Sequence, residues 1–185
     1  HGPEILFGMA YGYLEPGGTL LDIGIGTGLS TALFRRAGFT VYGMDNSPDM
    51  LEACRSKGYG NLSRHDLTAS PYPYGDGSMD AVICAGVLNF FEDLDVVFRE
   101  ASRILKPGGI FAFVVGDRSE EEVSAVAVGP EHTHADYSVT MYRHSASQVS
   151  AWAASSGLAP LRSLPFAVFM DRERTKELPA RACVM

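Results

Sequence analysis

The stretch Thr19-Leu20-Leu21-Asp22-Ile23-Gly24-Ile25-Gly26-Thr27-Gly28-Leu29-Ser30 decides the fold. Residues 19–23 are too apolar for a strand with one wet face and read as a buried parallel strand. Glycines 24, 26 and 28 then let the chain turn sharply and bring its backbone close to a ligand, where a Cβ would collide. A helix over 29–37 is expected next, stopping at Gly38 as an αL cap. Strand, glycine turn and helix together make a nucleotide-type binding site, with helix N–H groups facing the ligand.

The spacing narrows the ligand. A dinucleotide fingerprint needs G-x-G-x-x-G, but position 29, where the third glycine belongs, is leucine. The pattern present, D-x-G-x-G-x-G, resembles motif I of the class I S-adenosylmethionine-dependent methyltransferases. That resemblance implies a glycine loop wrapped around the methionine part of the cofactor and an acid ending strand two on the ribose hydroxyls.

Composition sets the outer bounds. The 185 residues suffice for one well-buried α/β domain and are short for two. With 46% hydrophobic and 20% charged residues the chain sits among ordinary globular proteins, and a net charge of −7 supplies no field for polyanions. A nucleic-acid partner is therefore not expected, and a small neutral or cationic substrate is. Cys54, Cys84 and Cys183 form no C-x-x-C pair and read as free thiols. No signal peptide or membrane-length apolar segment stands out, so the reading is a cytoplasmic protein without a membrane partner. The oligomeric state is left open.

Along the chain, helical spacing marks residues 1–13, and Pro16-Gly17-Gly18 delivers the chain into strand one. Fewer than twenty residues precede strand one, where many members of the resembled family place a longer helical lid. Strand two spans 39–45 and ends in Asp45, which follows Gly28 by 17 residues. Ser47 and Pro48 start the next helix and Gly58 stops it. A short third strand (61–66), a turn-rich loop (71–77) and an apolar fourth strand (79–85) come next. An amphipathic helix covers 93–105, Lys106-Pro107-Gly108-Gly109 breaks it, and strand five covers 110–115. Gly75-Asp76-Gly77-Ser78-Met79-Asp80-Ala81-Val82-Ile83, that helix, and Arg103-Ile104-Leu105-Lys106-Pro107-Gly108-Gly109 are similar to the centre of small-molecule class I methyltransferases of the type 11/12-like kind. The resemblance covers residues 19–116. It implies an α/β three-layer Rossmann-like sandwich with a seven-stranded, mostly parallel sheet and an antiparallel last strand.

Residues 117–144 depart from the pattern and read as a substrate-side insertion, acidic then alanine- and valine-rich over 117–128, loop-like over 129–136, with an extra strand over 138–142. Ser145 and Gln148 form a capping box for the last helix, which Gly157 ends. Strands follow within 158–170 and 178–185. The whole chain, 1–185, reads as one domain.

Methyl transfer from a sulfonium is an in-line displacement with an already activated electrophile. The protein mainly aligns the reactants and excludes water. The cofactor site is then legible while a base can be absent. Gly24 and Gly26, with Ile25 between them, are close-approach positions, and Asp22 is placed near the amino acid end of the cofactor. By the resemblance, Asp45 holds the ribose and Asp66, beside Leu67, takes the adenine amino group. Asn46 and Met50 flank the base, with helix core as the alternative for Met50. Ala85 and Gly86 pass the sulfonium, while Phe90 is divided between core and cofactor contact. Tyr11 or Tyr13 is a candidate to lie against the sulfonium. Candidate bases are Asn89, Glu92, His132, His134, Tyr142 and His144, and none is singled out. Glu131, His132, His134 and Asp136 alternate as metal ligands can, but lack a second anchoring cluster, so no metal is assigned. Two other classes stay open: a catalytically silent domain that binds the cofactor as partner or sensor, and a nicotinamide-dependent oxidoreductase.

Overall fold

The computed structural model describes residues 2–129, 138–169 and 177–185. In chain order the elements are α1 (Gly2–Ala10), β1 (Thr19–Ile23), α2 (Ala32–Arg36), β2 (Thr40–Asp45), α3 (Pro48–Ser56), β3 (Asn61–Arg64), β4 (Met79–Cys84), α4 (Asp95–Ile104), β5 (Leu105–Arg118), β6 (Ala125–Val128), β7 (Val139–Ser145), α5 (Ala146–Ser155), β8 (Arg162–Phe169) and β9 (Glu177–Val184).

Strands β3-β2-β1-β4-β5 lie side by side and all parallel. β9 runs antiparallel to β5, and β8 antiparallel to β9. These seven strands are the sheet the sequence resemblance implies. The remaining two form a hairpin: β7 continues parallel to the far end of β5, pairing Arg143 with Gly116 and Ser145 with Arg118, and β6 folds back on β7.

The central strands are dry on both faces because neighbouring side chains alternate between two cores. Leu21, Ile23, Val82, Cys84, Phe111 and Phe113 face α4 and α5, while Leu20, Ala81, Ile83, Ile110 and Ala112 face the layer of α1, α2 and α3. This alternation explains why the strands read as continuous apolar runs. Phe98, fully buried on α4, meets Phe111, Phe113 and Trp152 at centroid separations of 5.2 to 5.9 Å. Burying such a ring stabilises the fold by about 1.5–3 kcal/mol.

Three local readings are corrected. The helix expected over 29–37 begins only at Ala32, because the Ser30 and Thr31 hydroxyls turn back to donate to the buried Asp22 carboxylate. Lys106-Pro107-Gly108-Gly109 is not a turn between helix and strand. β5 starts at Leu105, opposite Met79, and the ladder shifts register before Ile110 pairs with Ala81. A Cβ on Gly109 would stand 2.9 Å from the Asp80 carbonyl, so the bulge closes tightly there. Strand five, expected to end at 115, runs on to Arg118, and β6 follows at Ala125–Val128, where no strand was expected.

Candidate functional site

The carboxyl ends of β1, β2 and β4 converge on the glycine loop. Asp45, half-buried at the end of β2, accepts the Gly26 amide at 2.9 Å on one oxygen and the Ser47 amide at 2.9 Å on the other. Each oxygen keeps lone-pair capacity for a further donor. Ser47 caps α3 by accepting the Met50 amide. Asp45 thus ties the glycine loop to the first turn of α3.

The two later glycines differ in what surrounds them. A Cβ at Gly28 would lie 2.6 Å from the Tyr59 ring, whose hydroxyl donates to the Gly28 carbonyl at 2.8 Å. A Cβ at Gly26, with φ of +53°, would meet nothing within 4 Å. Gly28 is therefore a packing position, whereas Gly26 presents bare backbone to open space. Gly86, at the end of β4, is open in the same way. Bare backbone at these two points, beside a carboxylate with spare acceptors, fits the group the sequence implies.

The other expected contacts divide into two sets. Asn46 and Met50 are exposed beside Asp45, so Met50 is not helix core; Leu51 and Cys54 fill that role. Asp66 is exposed just past β3, with Oδ1 accepting the Thr68 amide and hydroxyl, bonds that hold its carboxyl below the ordinary range. Ala85 is half-buried and Phe90 is 49% exposed. Gly24 is seated against Val87, and Ile25, only 2% exposed, packs on Gly43. The side chains of Asp22, Ile25 and Leu67 are enclosed, which leaves only their backbone to face a ligand.

Asp22 is completely buried and has no cation beside it. Burial pushes its carboxyl up to about 7, opposed by the Ser30 and Thr31 hydrogen bonds and assisted by the charge of Asp45. Its Oδ1 has no hydrogen-bond partner.

A second cavity of about 310 Å³ opens beyond β4. Phe90, Val115, Met141, Val168 and Pro179 are among its walls, and Gly86 lies at its edge toward the glycine loop. Asn89 contributes its one polar side chain. The far wall comes from β5, β7, β8 and β9. The sequence reading named none of those wall residues, because strand pairings across long sequence separations bring them together.

Among the candidate bases that fall in the described residues, only Asn89 lines this cavity. His144 is 2% exposed, bonds the Phe91 carbonyl through Nε2 at 3.0 Å, and stands edge-on to Trp152. Burial pulls its pKa down, opposed by the Phe91 bond. It fastens β7 to the segment after β4. Tyr142 pairs with Ala125 in the hairpin and Glu92 is exposed. His132 and His134, with Glu131 and Asp136, lie outside the described residues. Tyr11 and Tyr13 sit at the opposite, amino-terminal edge of the sheet, Tyr11 against Phe39 and Tyr13 beneath Arg162. They are thereby removed as sulfonium contacts.

Behind the site, Glu100 and Arg103 on α4 hold the loop between β3 and β4. Glu100, 5% exposed, accepts from Ser70, the Tyr72 amide and Arg103. Tyr72 in turn donates to the Leu67 carbonyl at 2.8 Å. Burial opposes ionisation of Glu100, but its hydrogen bonds from Arg103, Tyr72 and Ser70 outweigh that and hold its carboxyl below the ordinary value.

A parallel sheet with a glycine loop and strand-end acids at one edge defines a nucleotide-type binding domain. The methyltransferase domain family matches residues 21–113, half of the chain, and the protein belongs to that family. The chain is 38% identical over 95 residues to a demethylmenaquinone methyltransferase of Tropheryma whipplei, covering 50% of this chain and 39% of that one. It is 31% identical over 124 residues to a ubiquinone biosynthesis O-methyltransferase of Xanthomonas oryzae, covering 63% and 50%. The chain thus spans half or less of these curated relatives. A crystal structure of a SAM-dependent methyltransferase from Methanosarcina mazei superposes with a TM-score of 0.80 at 13% identity, covering 94% of each chain, a likeness of fold. Among the described residues, no helix is long and apolar enough to cross a membrane.

Proposed function

We propose that the protein transfers a methyl group from S-adenosylmethionine to an O, N or C atom of a small, largely apolar acceptor. The observation that carries the reading is the open backbone at Gly26 beside Asp45, joined through Gly86 to the cavity faced by Asn89. When bound, the sulfonium supplies a methyl already activated for displacement.

The chain's own residues hold and exclude. Asp45, fixed by the Gly26 and Ser47 amides, offers its remaining acceptors to the ribose hydroxyls. Asp66 keeps Oδ2 for the adenine amino group, with Asn46 and Met50 flanking the base. Gly86 and Ala85 border the passage to the acceptor. The apolar walls desolvate the acceptor, and Asn89 orients it by one hydrogen bond. Nothing in the cavity favours an anionic acceptor. The relatives named for menaquinone and ubiquinone biosynthesis support an apolar acceptor class.

Calorimetric titration with S-adenosylmethionine and S-adenosylhomocysteine, with NADH as control, tests the cofactor. Binding of the first two alone is expected, and Asp45→Ala weakens it at least tenfold in a protein that still folds. Binding of NADH in their place overturns the reading. Turnover with an apolar acceptor panel then separates an enzyme from a silent cofactor-binding domain.

A further inference from the structure

Another cavity, about 480 Å³, lies on the other side of the glycine loop and takes no part in the proposed reaction. It is an open groove between α2 and the segment leading into β3. Leu29, 70% exposed, and the Tyr59 ring supply its apolar surface. Arg35, Arg36 and Lys57 supply its charge, and among the described residues no carboxylate lines it.

That charge runs against the rest of the molecule, which carries 22 acidic residues to 15 basic. None of the three cations forms an ion pair among the described residues, whereas Arg55, Arg99, Arg103, Lys106, Arg143 and Arg181 all do. Two are held in place by backbone. Arg35 donates to the Lys57 and Gly58 carbonyls at 2.8 and 3.0 Å and lies 4.5 Å over the Tyr59 ring. Lys57 donates to the Thr27 carbonyl at 2.8 Å. These bonds orient the guanidinium and ammonium without neutralising them, and each head keeps further N–H donors. An ordinary solvated face would spread its cations among acids; here three are set around one concave, partly apolar surface.

We propose that this groove is a binding site for a small phosphate monoester. Its dianionic head would rest between Arg35, Arg36 and Lys57, and its aromatic or aliphatic body on Leu29 and Tyr59. Two fixed cations and a third at the end of α2 match a dianion, and the groove falls within the size range of small-molecule pockets. The inference does not rest on the methyl-transfer reading.

Phenyl phosphate is the probe, titrated calorimetrically into the intact protein at constant ionic strength, with inorganic phosphate and phenol alongside. Saturable one-to-one binding of phenyl phosphate is expected, tighter than either fragment and weaker at raised salt. Arg36→Ala, an exposed substitution on α2 that favours the helix, weakens it about tenfold, the worth of one charge-assisted hydrogen bond. Arg162→Ala, which removes another cation with no ion pair among the described residues, leaves it unchanged. Non-saturable binding, indifference to Arg36→Ala, or an equal loss with Arg162→Ala overturns the proposal. Unchanged urea denaturation of Arg36→Ala separates lost binding from lost fold.

Discussion

Gly26→Ala and Gly28→Ala place the same methyl group two residues apart in the same loop, yet the structure assigns them different costs. Both positions have positive φ, +53° and +80°. A left-handed conformation costs alanine about 1–2 kcal/mol in either case. At Gly26 that is the whole expense, since the new Cβ meets nothing within 4 Å. At Gly28 the Cβ enters the Tyr59 ring, which cannot retreat because its hydroxyl is bound to the Gly28 carbonyl and Arg35 lies over its face. Overpacking of this kind adds about 1–3 kcal/mol, for a total of about 2–5 kcal/mol. Urea denaturation should therefore rank Gly28→Ala as the more destabilised. Calorimetry with S-adenosylhomocysteine should rank them the other way, with Gly26→Ala weakening binding tenfold or more. In a Tyr59→Ala background the cost of Gly28→Ala should shrink by about 1 kcal/mol or more, the signature of two side chains in contact. Equal stabilities for the two variants, no coupling to Tyr59, or wild-type affinity in Gly26→Ala refutes the reasoning.

Three further outcomes follow from buried groups and from the cavity. Asp22 titrates near 7 when folded against an ordinary 3.8. Its protonated form is favoured by folding, so its contribution is fully present below pH 3.8 and lost as pH rises toward 7. Asp22→Asn should remove a falling component of stability over that window, on the order of 4 kcal/mol at most, measured by denaturation at several pH values. Arg103→Ala leaves the Glu100 carboxylate buried without its cation and should cost about 3 kcal/mol, reduced from a fully buried pair by the partial exposure of Arg103. Because the Glu100 carboxyl is held below 4.5 in the folded protein, its contribution is present above that pH and lost as pH falls through the folded value. The gap between wild type and variant should therefore narrow in acid. Asn89→Leu should lower kcat/KM for a methyl acceptor about tenfold while leaving S-adenosylhomocysteine affinity unchanged, as expected when one buried hydrogen bond is removed.

The parallel half of the sheet was legible because its strands are buried on both faces, which forces continuous apolar runs such as Leu20 to Ile23 and Ala81 to Cys84. Asp45 was legible from its position at a strand end, and Ser47 and Ser145 from capping chemistry that is local in sequence. What escaped depends on contacts between distant residues. Ser30 and Thr31 fit a helix by propensity, and only the buried Asp22 beneath them explains why the loop runs on. Lys106 to Gly109 has the composition of a turn, but the pairing of Met79 with Leu105 makes it a bulge inside a ladder. Tyr11 and Tyr13 are near the glycine loop in sequence and at the other edge of the sheet in space. The cavity beyond β4 was unreadable for the same reason, since Met141, Val168 and Pro179 join Phe90 only once four strands are in place.

The position of β9 also has a consequence for how the chain reaches this state. Among the described residues β8 pairs only with β9, which lies between it and β5, pairing Ala112 with Val184 and Gly116 with Ala180. As the polypeptide is synthesised, β1 to β5 emerge first and can assemble with their own helices, leaving the β5 backbone as an open edge over residues 112–116. Until the β8–β9 hairpin docks, that edge is free to pair with another nascent chain. Closing it is a contact of long sequence separation and so a late event in folding. The cavity beyond β4, whose walls include both hairpin strands, comes into being only with that last step.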